Sequence, residues 1–444
     1  MLINCIFKKN ILKKRATLFL LSPYILMSIC LASLVFSTHL WASYNKRVLG
    51  PEWSDVNGWD QPEYYSTILY EDINRDGKAD ICGRSSEGIK CHQSIGKSFA
   101  QEPVGFDGPA WSDANGWNKP EYYSTIQYPV LGSSVYSNGD GKPGICGRDK
   151  DGIKCHIYSS IFEENVWSET LFPAPNWSDA QGWNRPEYFS TIRYPDLNGD
   201  GKADICARAK TGIICHLNNN GEGFMKKVFS GPAWSDMNGW GLEKYYSTID
   251  YPDINGDGKA DICGRSIRGI ECHLSTGRRF SNYAYLGPNW SNSDHWDNPK
   301  HYSTIGYPDI NRDGKADICG RTANGVRCFM SNVPRFKVST TPSSSEELPY
   351  LKHLPSTCHF SNCTLGLTFI GPEWSDASGW DMLEHYSTIQ YPTLDHNNSL
   401  AGICGRSSTG VECYYHEHYT LDTAIVMYNM STPITRHAND SYDH

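Results

Sequence analysis

Acidic side chains recur in this 444-residue chain with the spacing of a calcium-binding loop. In the first loop, oxygen-bearing side chains occupy positions 1, 3, 5 and 9 and a lysine occupies position 7: Asp72, Asn74, Asp76, Lys78 and Asp80. Ca²⁺ takes hard oxygen ligands that converge on one point, and a glycine at position 6, here Gly77, permits the sharp turn. The lysine would contribute its backbone carbonyl. An EF-hand would need a glutamate at position 12, where Gly83 stands, so the spacing predicts a different calcium loop.

Three further loops keep the full pattern. They are Asp196, Asn198, Asp200, Lys202 and Asp204; Asp253, Asn255, Asp257, Lys259 and Asp261; and Asp309, Asn311, Asp313, Lys315 and Asp317. Two loops depart from it, because Gly144 and Gly402 replace the closing aspartate, and we expect neither to bind well. About four structural Ca²⁺ ions are therefore predicted, and they should stabilise the fold because the carboxylates repel one another without them. The alternative is a turn rich in Asp and Asn that holds no metal.

Twelve of the 16 cysteines show a second regular spacing, as six C-x8-C pairs. Two cysteines flank each predicted hairpin turn and lie opposite one another, about 4.5 to 5.5 Å apart at Cα, which suits a disulfide. The predicted bridges are Cys82–Cys91, Cys146–Cys155, Cys206–Cys215, Cys263–Cys272, Cys319–Cys328 and Cys404–Cys413, with Cys358–Cys363 as a local pair. A zinc site with four thiolates is the alternative. An even number of cysteines in an exported chain favours disulfides.

Tryptophan and arginine also recur, in six copies of a WSD–GW segment and of a hairpin. The tryptophans are Trp53 and Trp59, Trp111 and Trp117, Trp177 and Trp183, Trp234 and Trp240, Trp290 and Trp296, and Trp374 and Trp380. The arginines are Arg84, Arg148, Arg208, Arg265, Arg321 and Arg406. Aromatic faces stack on sugar rings while Asp and Arg bind hydroxyl groups, so these side chains could form ligand sites. In the structural alternative, the tryptophans pack between sheets and each arginine pairs with an aspartate such as Asp55 or Asp113.

All of these residues belong to one unit of roughly 57 residues that occurs six times, with each copy beginning at its first tryptophan. In repeat 1, YYSTILY predicts a first strand, ADICGR a second and GIKCHQS a third, and FAQEPVGF before the next repeat predicts a fourth. Four short strands per unit indicate a propeller blade. Residues 45–53 match the end of a fourth strand and would complete the last sheet, which closes the ring. We predict an all-β propeller of six blades; seven remains the alternative, because residues 423–430 could add a strand.

The loop D-x-N-x-D-G-x-x-D between two strands resembles the FG-GAP and VCBS repeats of integrin α-chain propellers and related bacterial and fungal propellers. It is also similar to fungal N-acetylglucosamine-binding propeller lectins. The resemblance covers most of residues 45–415, although the WSD–GW segment is not part of the general pattern. It implies that calcium is structural, that ligands bind elsewhere, and that seven blades are common.

The first 42 residues differ from the repeats, since a basic segment precedes an apolar stretch over residues 16–36. This order is typical of a signal peptide, and an uncleaved membrane anchor is the alternative. The predicted organisation is a signal or anchor over 1–42, the propeller over 43–415 with an insertion at 339–364, and a tail over 416–444. The expected location is secreted, cell-surface or periplasmic.

Charge and motifs narrow the function. The net charge is −9 and no basic cluster follows residue 15, which disfavours nucleic acid as a partner. No catalytic motif is present. The first hypothesis is a multivalent adhesion or lectin-like module that binds glycans or cell-surface proteins. The alternatives are a polysaccharide-acting enzyme on the same scaffold and a docking module of a toxin or surface complex.

Overall fold

The computed structural model describes residues 51–74, 76, 78, 80–95, 99–100, 108–132, 141–161, 164–168, 171–334, 368–391, 393–395, 400–407 and 410–415, all within the compact unit Pro51–His444. Several predicted features lie outside the described residues: the segments 1–42, 45–50, 339–364, 416–444 and 423–430, together with Cys358 and Cys363. In the part of the chain that is described, no helix is long and apolar enough to span a membrane.

The described part of the chain is mostly β and forms six small antiparallel sheets, one per repeat. The strands are β1 Leu69–Glu71, β2 Asp80–Ser85 and β3 Gly88–His92; β4 Val130–Gly132, β5 Lys142–Asp149, β6 Gly152–Ile161 and β7 Glu164–Trp167; β8 Ile205–Ala209, β9 Gly212–Asn218 and β10 Phe224–Ser230; β11 Ile262–Ser266, β12 Gly269–His273 and β13 Tyr285–Leu286; β14 Ile318–Thr322, β15 Gly325–Phe329 and β16 Thr368–Ile370; and β17 Thr393–Asp395, β18 Leu400–Ser407 and β19 Gly410–Tyr415. Strands adjacent in sequence are adjacent in each sheet, which makes every sheet a simple meander.

The predicted first strand is wrong over its first half, where each repeat forms one helical turn. The turns are α1 Pro62–Tyr65, α2 Pro120–Tyr123, α3 Pro186–Phe189, α4 Glu243–Tyr246, α5 Pro299–Tyr302 and α6 Leu383–Tyr386. In α1, Pro62 stands in the first turn, where its fixed φ suits a helix. The hydroxyls of Ser66 and Thr67 then donate to the carbonyls of Pro62 (2.5 Å) and Tyr64 (2.7 Å). These local hydrogen bonds outweigh the strand preference of the β-branched and aromatic residues, and the first strand shrinks to three residues or one bridge.

The predicted hairpins and their disulfides are confirmed in five repeats. In each hairpin the two cysteines lie directly opposite one another, as Cys82 and Cys91 do in β2 and β3. Their Cα atoms are 4.0 to 4.1 Å apart. In repeat 6, Cys404 is disulfide-bonded and stands opposite Cys413 in β18 and β19. The ten disulfide-bonded cysteines of repeats 1 to 5 are fully buried, so each bridge is a core contact.

The hydrophobic core is divided among successive repeats. Ile73 and Ile89 of repeat 1 are buried with Trp111 and Trp117 of repeat 2, and four equivalent clusters join the later repeats. A repeat therefore buries its sheet against its neighbours in the chain, as in other repeat proteins.

Candidate functional site

The two tryptophans of every repeat stack face to face over the second strand. The ring centroids of Trp111 and Trp117 are 4.2 Å apart, and the other pairs are separated by 4.0 to 4.4 Å. Gly147 lies beneath this pair, and a Cβ atom there would approach Trp117 to 2.8 Å. Repeat 3 has Ala207 at the same place, and its tryptophan rings show the widest separation, 4.4 Å. The tryptophan pair thus accounts for the glycine of the ICGR strand.

In repeats 1 to 5, the arginine of the second strand is buried and reaches into the following repeat. Arg84 is 0% exposed. Its Nε donates to the carbonyl of Trp111 (2.9 Å), Nη1 donates to the carbonyl of Glu63 (3.2 Å), and Nη2 donates to the carboxylate of Asp113. The Tyr64 hydroxyl donates to the second oxygen of that carboxylate (2.6 Å). We call this set of arginine, aspartate, tyrosine and tryptophan carbonyl the inter-repeat lock.

The lock recurs with informative departures. Arg148 and Arg208 repeat it with Asp179 and Asp236. Arg265 instead donates to the amide oxygen of Asn292 (2.5 Å), and burial lowers the pKa of this arginine.

In the next lock, Arg321 pairs with Asp376. Lys300 donates to the second oxygen of Asp376 (2.5 Å), where earlier repeats use the tyrosine hydroxyl. His301 occupies the tyrosine position there. The buried arginine therefore pairs with an aspartate in most locks, and the amide oxygen of an asparagine can replace the carboxylate.

The structure leaves little of the predicted ligand-binding side chains available to a ligand. In repeats 2 to 6 the tryptophans are 3 to 6% exposed: Trp111, Trp117, Trp177, Trp183, Trp234, Trp240, Trp290, Trp296, Trp374 and Trp380. Five arginines are 0% exposed: Arg84, Arg148, Arg208, Arg265 and Arg321. Trp53 and Trp59 are partly exposed, and the side chain of Arg406 lies outside the described part. The contacts match the structural alternative, in which tryptophans pack and arginines pair with aspartates such as Asp113.

Exposed side chains occur at the tips of the same WSD–GW segments, directly after the second tryptophan. These tip residues are Asp60 and Gln61, Asn118 and Lys119, Asn184 and Arg185, Leu242, Asp297 and Asn298, and Asp381 and Met382. Most of them carry amide, carboxylate or cationic groups. Val56 and Met237, in the middle of two segments, are each 95% exposed. The buried framework is therefore repeated, while the exposed tips differ from repeat to repeat.

The calcium-type loops are ordered by their own carboxylates. The side chain of Asp196 accepts hydrogen bonds from the N–H groups of Gly199 (2.7 Å) and Gly201 (2.8 Å). The carboxylate of Asp200 accepts from Lys202 N (2.9 Å). Gly201 has φ +78°, which explains the glycine at position 6. The loops 253–261 and 309–317 repeat these contacts.

The last aspartate of each intact loop is buried. Asp204 is 0% exposed, and its two oxygens accept from Leu197 N (2.9 Å) and Asn218 N (2.7 Å). Burial, together with the charges of Asp196 and Asp200, raises the pKa of Asp204 to about 7 despite these hydrogen bonds. Burial likewise raises the pKa of Asp317 to about 7. Once ionised, these carboxylates add negative charge that a cation would offset.

The donor types fit Ca²⁺, since each loop supplies three carboxylates and one amide oxygen. Among the described residues, no three His, Cys, Asp or Glu side chains converge as a preformed metal centre. The lysine ammonium groups lie near the fifth position instead: Lys202 Nζ is 3.7 Å from Asp200, and Lys259 Nζ is 3.2 Å from Asp257. The calcium sites, and the carbonyl role of these lysines, stay predictions. Of the two departing loops, Asn138, Asp140 and Asn397 lie outside the described residues.

The sequence reasoning missed a set of side chains between successive loops. Asn218, Ser275 and Ser331 each stand three residues after the second cysteine of a hairpin. Each is nearly fully buried, and its side chain donates to a carbonyl of the preceding repeat. The signal available was a small hydrogen-bonding residue at a constant distance from the cysteine.

Residues 196–264 match the model of the FG-GAP-like repeat family. This match confirms the predicted resemblance over a stretch that holds the calcium-type loops 196–204 and 253–261 and the hairpin strands β8 and β9. No curated protein matches the chain.

Among solved structures, the chain is similar to an Agrocybe aegerita lectin that recognises non-reducing terminal N-acetylglucosamine, with 23% identity and a TM-score of 0.48. The match covers 60% of this chain and 63% of the lectin. The chain is also similar to the Photorhabdus luminescens Tc holotoxin pore, with 15% identity and a TM-score of 0.46 over 79% of this chain and 14% of that one. This chain thus spans less than two thirds of either structure, and no function follows from similarities of this extent.

Proposed function

We propose that this chain is an exported, calcium-stabilised β-propeller of six blades that binds glycans through the tips of its WSD–GW segments. The observation that carries the proposal is the contrast between a constant framework and variable tips. The stacked tryptophans and buried arginines hold each segment in the same way, while the tip residues are exposed and change between repeats. Binding residues are commonly placed on loops that a rigid scaffold positions.

The chemistry of the tips suits sugars. Amide and carboxylate groups such as those of Asn118, Asn184 and Asp297 match hydroxyl groups as donors and acceptors. Repeated sites would raise avidity even where each binds weakly. The disulfides of repeats 1 to 5 are typical of an oxidising, extracellular compartment, where such ligands occur.

The ring closure in this proposal rests on the last sheet. The meander β17-β18-β19 has three described strands, and the segment 45–50 would supply a fourth. Deletion of residues 43–50 from the processed chain should lower the melting temperature, whereas deletion of 420–444 should not. Equal melting temperatures after both deletions would contradict closure by the N-terminal strand.

Calcium enters the proposal as a structural ion held by the loops 72–80, 196–204, 253–261 and 309–317. Removal of Ca²⁺ with a chelator should lower the melting temperature, and addition of Ca²⁺ should restore it. An unchanged melting temperature would contradict the calcium part without touching the glycan part.

Glycan binding is tested on an array with the disulfide-bonded chain, in Ca²⁺ and in chelator. A pair of variants separates the tips from the rest of the surface. Asn118→Ala combined with Asn184→Ala should weaken binding and leave the melting temperature unchanged, because both side chains are exposed. Ile95→Ala, a change at an exposed apolar residue outside the WSD–GW segments, serves as the surface control. If the array shows no bound glycan while the chain captures a cell-surface protein, the protein-binding alternative replaces the lectin function.

A further inference from the structure

Three of the calcium-type loops are joined to one another by hydrogen bonds. Ala260 N, at position 8 of the loop 253–261, donates to the carbonyl of Asp196, at position 1 of the preceding loop (2.8 Å). Ala316 N donates in the same way to the carbonyl of Asp253 (2.8 Å). In each contact the acceptor belongs to a predicted calcium ligand, and the donor directly precedes the closing aspartate of the next loop. The loops 196–204, 253–261 and 309–317 therefore form one connected series.

A second connection runs beside the first through a buried serine. The Ser275 hydroxyl donates to the carbonyl of Leu197 (2.7 Å), which follows Asp196. The backbone N–H of Ser275 donates to the carboxylate of Asp261, the closing aspartate of its own loop (2.7 Å). Ser275 is 4% exposed. One residue thus contacts the last aspartate of one loop and the first turn of the loop before it.

Ser331 repeats this bridge between the next two loops. Its hydroxyl donates to the carbonyl of Ile254 (2.5 Å), and its N–H donates to the carboxylate of Asp317 (2.8 Å). Both serines therefore make hydrogen bonds to two successive loops, so a shift of one loop would displace a hydrogen-bond partner of the other.

The loop 72–80 stands outside this series. Repeat 2, which follows it, has Gly144 in place of the closing aspartate. In repeat 3, Ala203 N donates to the carbonyl of Val130, a residue of the strand β4 (2.7 Å). The first loop is thus separated from the connected series by a repeat whose loop lacks the full ligand pattern.

We propose that Ser275 and Ser331 are positioning residues that couple Ca²⁺ binding among the loops 196–204, 253–261 and 309–317, and that the loop 72–80 binds independently. This inference rests on the proposed calcium binding. An ion that fixes Asp253 and Asp261 also fixes the partners of Ala316 and Ser275, so it orders parts of both neighbouring loops. Coupling between binding sites is reciprocal and typically changes affinity by about 5- to 150-fold.

The test follows each loop separately in the full disulfide-bonded chain. The amide resonances of Gly201, Gly258 and Gly314 report on the three loops, because each N–H donates to the first aspartate of its loop (2.8 to 2.9 Å). Glycine-selective ¹⁵N labelling and titration with Ca²⁺ give an affinity for each loop.

The central variant is Asp257→Asn, which removes one charge from the middle loop and keeps an oxygen for Lys259 N. It should weaken Ca²⁺ binding at the loops 196–204 and 309–317 by about fivefold or more. The matched variant Asp76→Asn, in the independent loop, should leave both affinities unchanged.

Ser275→Ala then tests the route. It should reduce the effect of Asp257→Asn on the loop 196–204 while the effect on the loop 309–317 remains, as a double-mutant cycle would show. Unchanged affinities at both neighbours in Asp257→Asn would overturn the coupling while calcium binding stands. An equal effect of Asp76→Asn would also overturn it, since a general loss of stability would then explain the data. If no glycine resonance responds to Ca²⁺, the proposed calcium binding itself fails.

Discussion

The inter-repeat lock makes a sharp prediction about Asp236, because the chain contains its own control. Asp236 accepts from Arg208, which is fully buried, and from the Tyr188 hydroxyl (2.6 Å). Removal of one partner of a buried ion pair costs about 3 to 5 kcal/mol. The side chain of Asp236 is 27% exposed, so water would solvate part of the remaining charge. Arg208 would also keep its hydrogen bonds to the carbonyls of Trp234 (2.9 Å) and Glu187 (3.1 Å).

We therefore expect Asp236→Ala to lower the free energy of unfolding by about 2 to 3 kcal/mol. Asp236→Asn should cost about 1 kcal/mol or less. The reason is that Asn292 holds this position in repeat 5, where it accepts from Arg265 (2.5 Å) and donates to the Tyr245 hydroxyl (2.8 Å). The measurement is a urea titration of the disulfide-bonded chain in Ca²⁺, followed by tryptophan fluorescence.

The exposed neighbour Met237 supplies the control, since Met237→Ala changes a side chain that is 95% exposed. Two results would refute the reasoning. Equal losses for Asp236→Ala and Asp236→Asn would show that charge, and not an acceptor oxygen, is required. A loss below about 0.5 kcal/mol for Asp236→Ala would show that Arg208 does not need a partner.

Four further outcomes are expected. Burial has the largest influence on the pKa of Asp236 and raises it, but hydrogen bonds from Tyr188 and Arg208 together lower it below its usual value. The stability from this pair is therefore present above the unfolded pKa near 4 and is lost as pH falls through the lower folded pKa. Acid titration of the wild type should show this loss of stability, and Asp236→Asn should show less of it. Since burial raises the pKa of Asp204 and Asp317 to about 7, Ca²⁺ binding near pH 6.5 should release protons and weaken as pH falls. Calorimetry in two buffers of different ionisation enthalpy measures the proton release, and identical binding heats would contradict it. Replacement of Cys263 and Cys272 by serine should cost up to about 3 kcal/mol in urea titrations, because the bridge closes a short loop, and an unchanged midpoint would argue against it. Gly264→Ala should lower the free energy of unfolding by less than about 1.5 kcal/mol, because Ala207 fills the same place in repeat 3. Gly264→Val should cost about 1 to 3 kcal/mol more, because it overpacks the tryptophan pair. Similar melting temperatures for the two variants would contradict this account.

The parts of the fold that depend on position within one hairpin were predictable. A fixed spacing places Cys146 opposite Cys155, and the pairing follows from strand geometry alone. The helical turn at Pro120–Tyr123 was not predictable from strand propensity. The tyrosines and the β-branched residues favour a strand, but Pro120 and the hydroxyl of Ser124, which donates back to the carbonyl of Pro120 (2.6 Å), decide locally for a turn.

The sequence indicated which interactions the tryptophans and arginines can make, but not whether they make them with a ligand or within the protein. A sequence shows that Arg148 and Asp179 recur, but their contact joins two repeats across 31 residues. Burial decides between a ligand site and a framework contact, and burial depends on the neighbouring repeat. The same limit applies to Ser331, whose partner Ile254 lies 77 residues earlier.

In repeat 1, the lock and the calcium-type loop meet on a single strand. In β2, Asp80 closes the loop, Cys82 forms the disulfide and Arg84 enters the next repeat, and all three are fully buried. Alternate residues of a strand face the same side, so these side chains point together into the space between two sheets. A shift of the strand that loosens the carboxylate would therefore also move the disulfide and the guanidinium. Because Arg84 ends on Asp113 of the next WSD–GW segment, the loop can influence the position of that segment without any direct contact. This arrangement gives a physical reason for expecting Ca²⁺ to affect the proposed glycan-binding tips, although no tip residue is a predicted ligand of the ion.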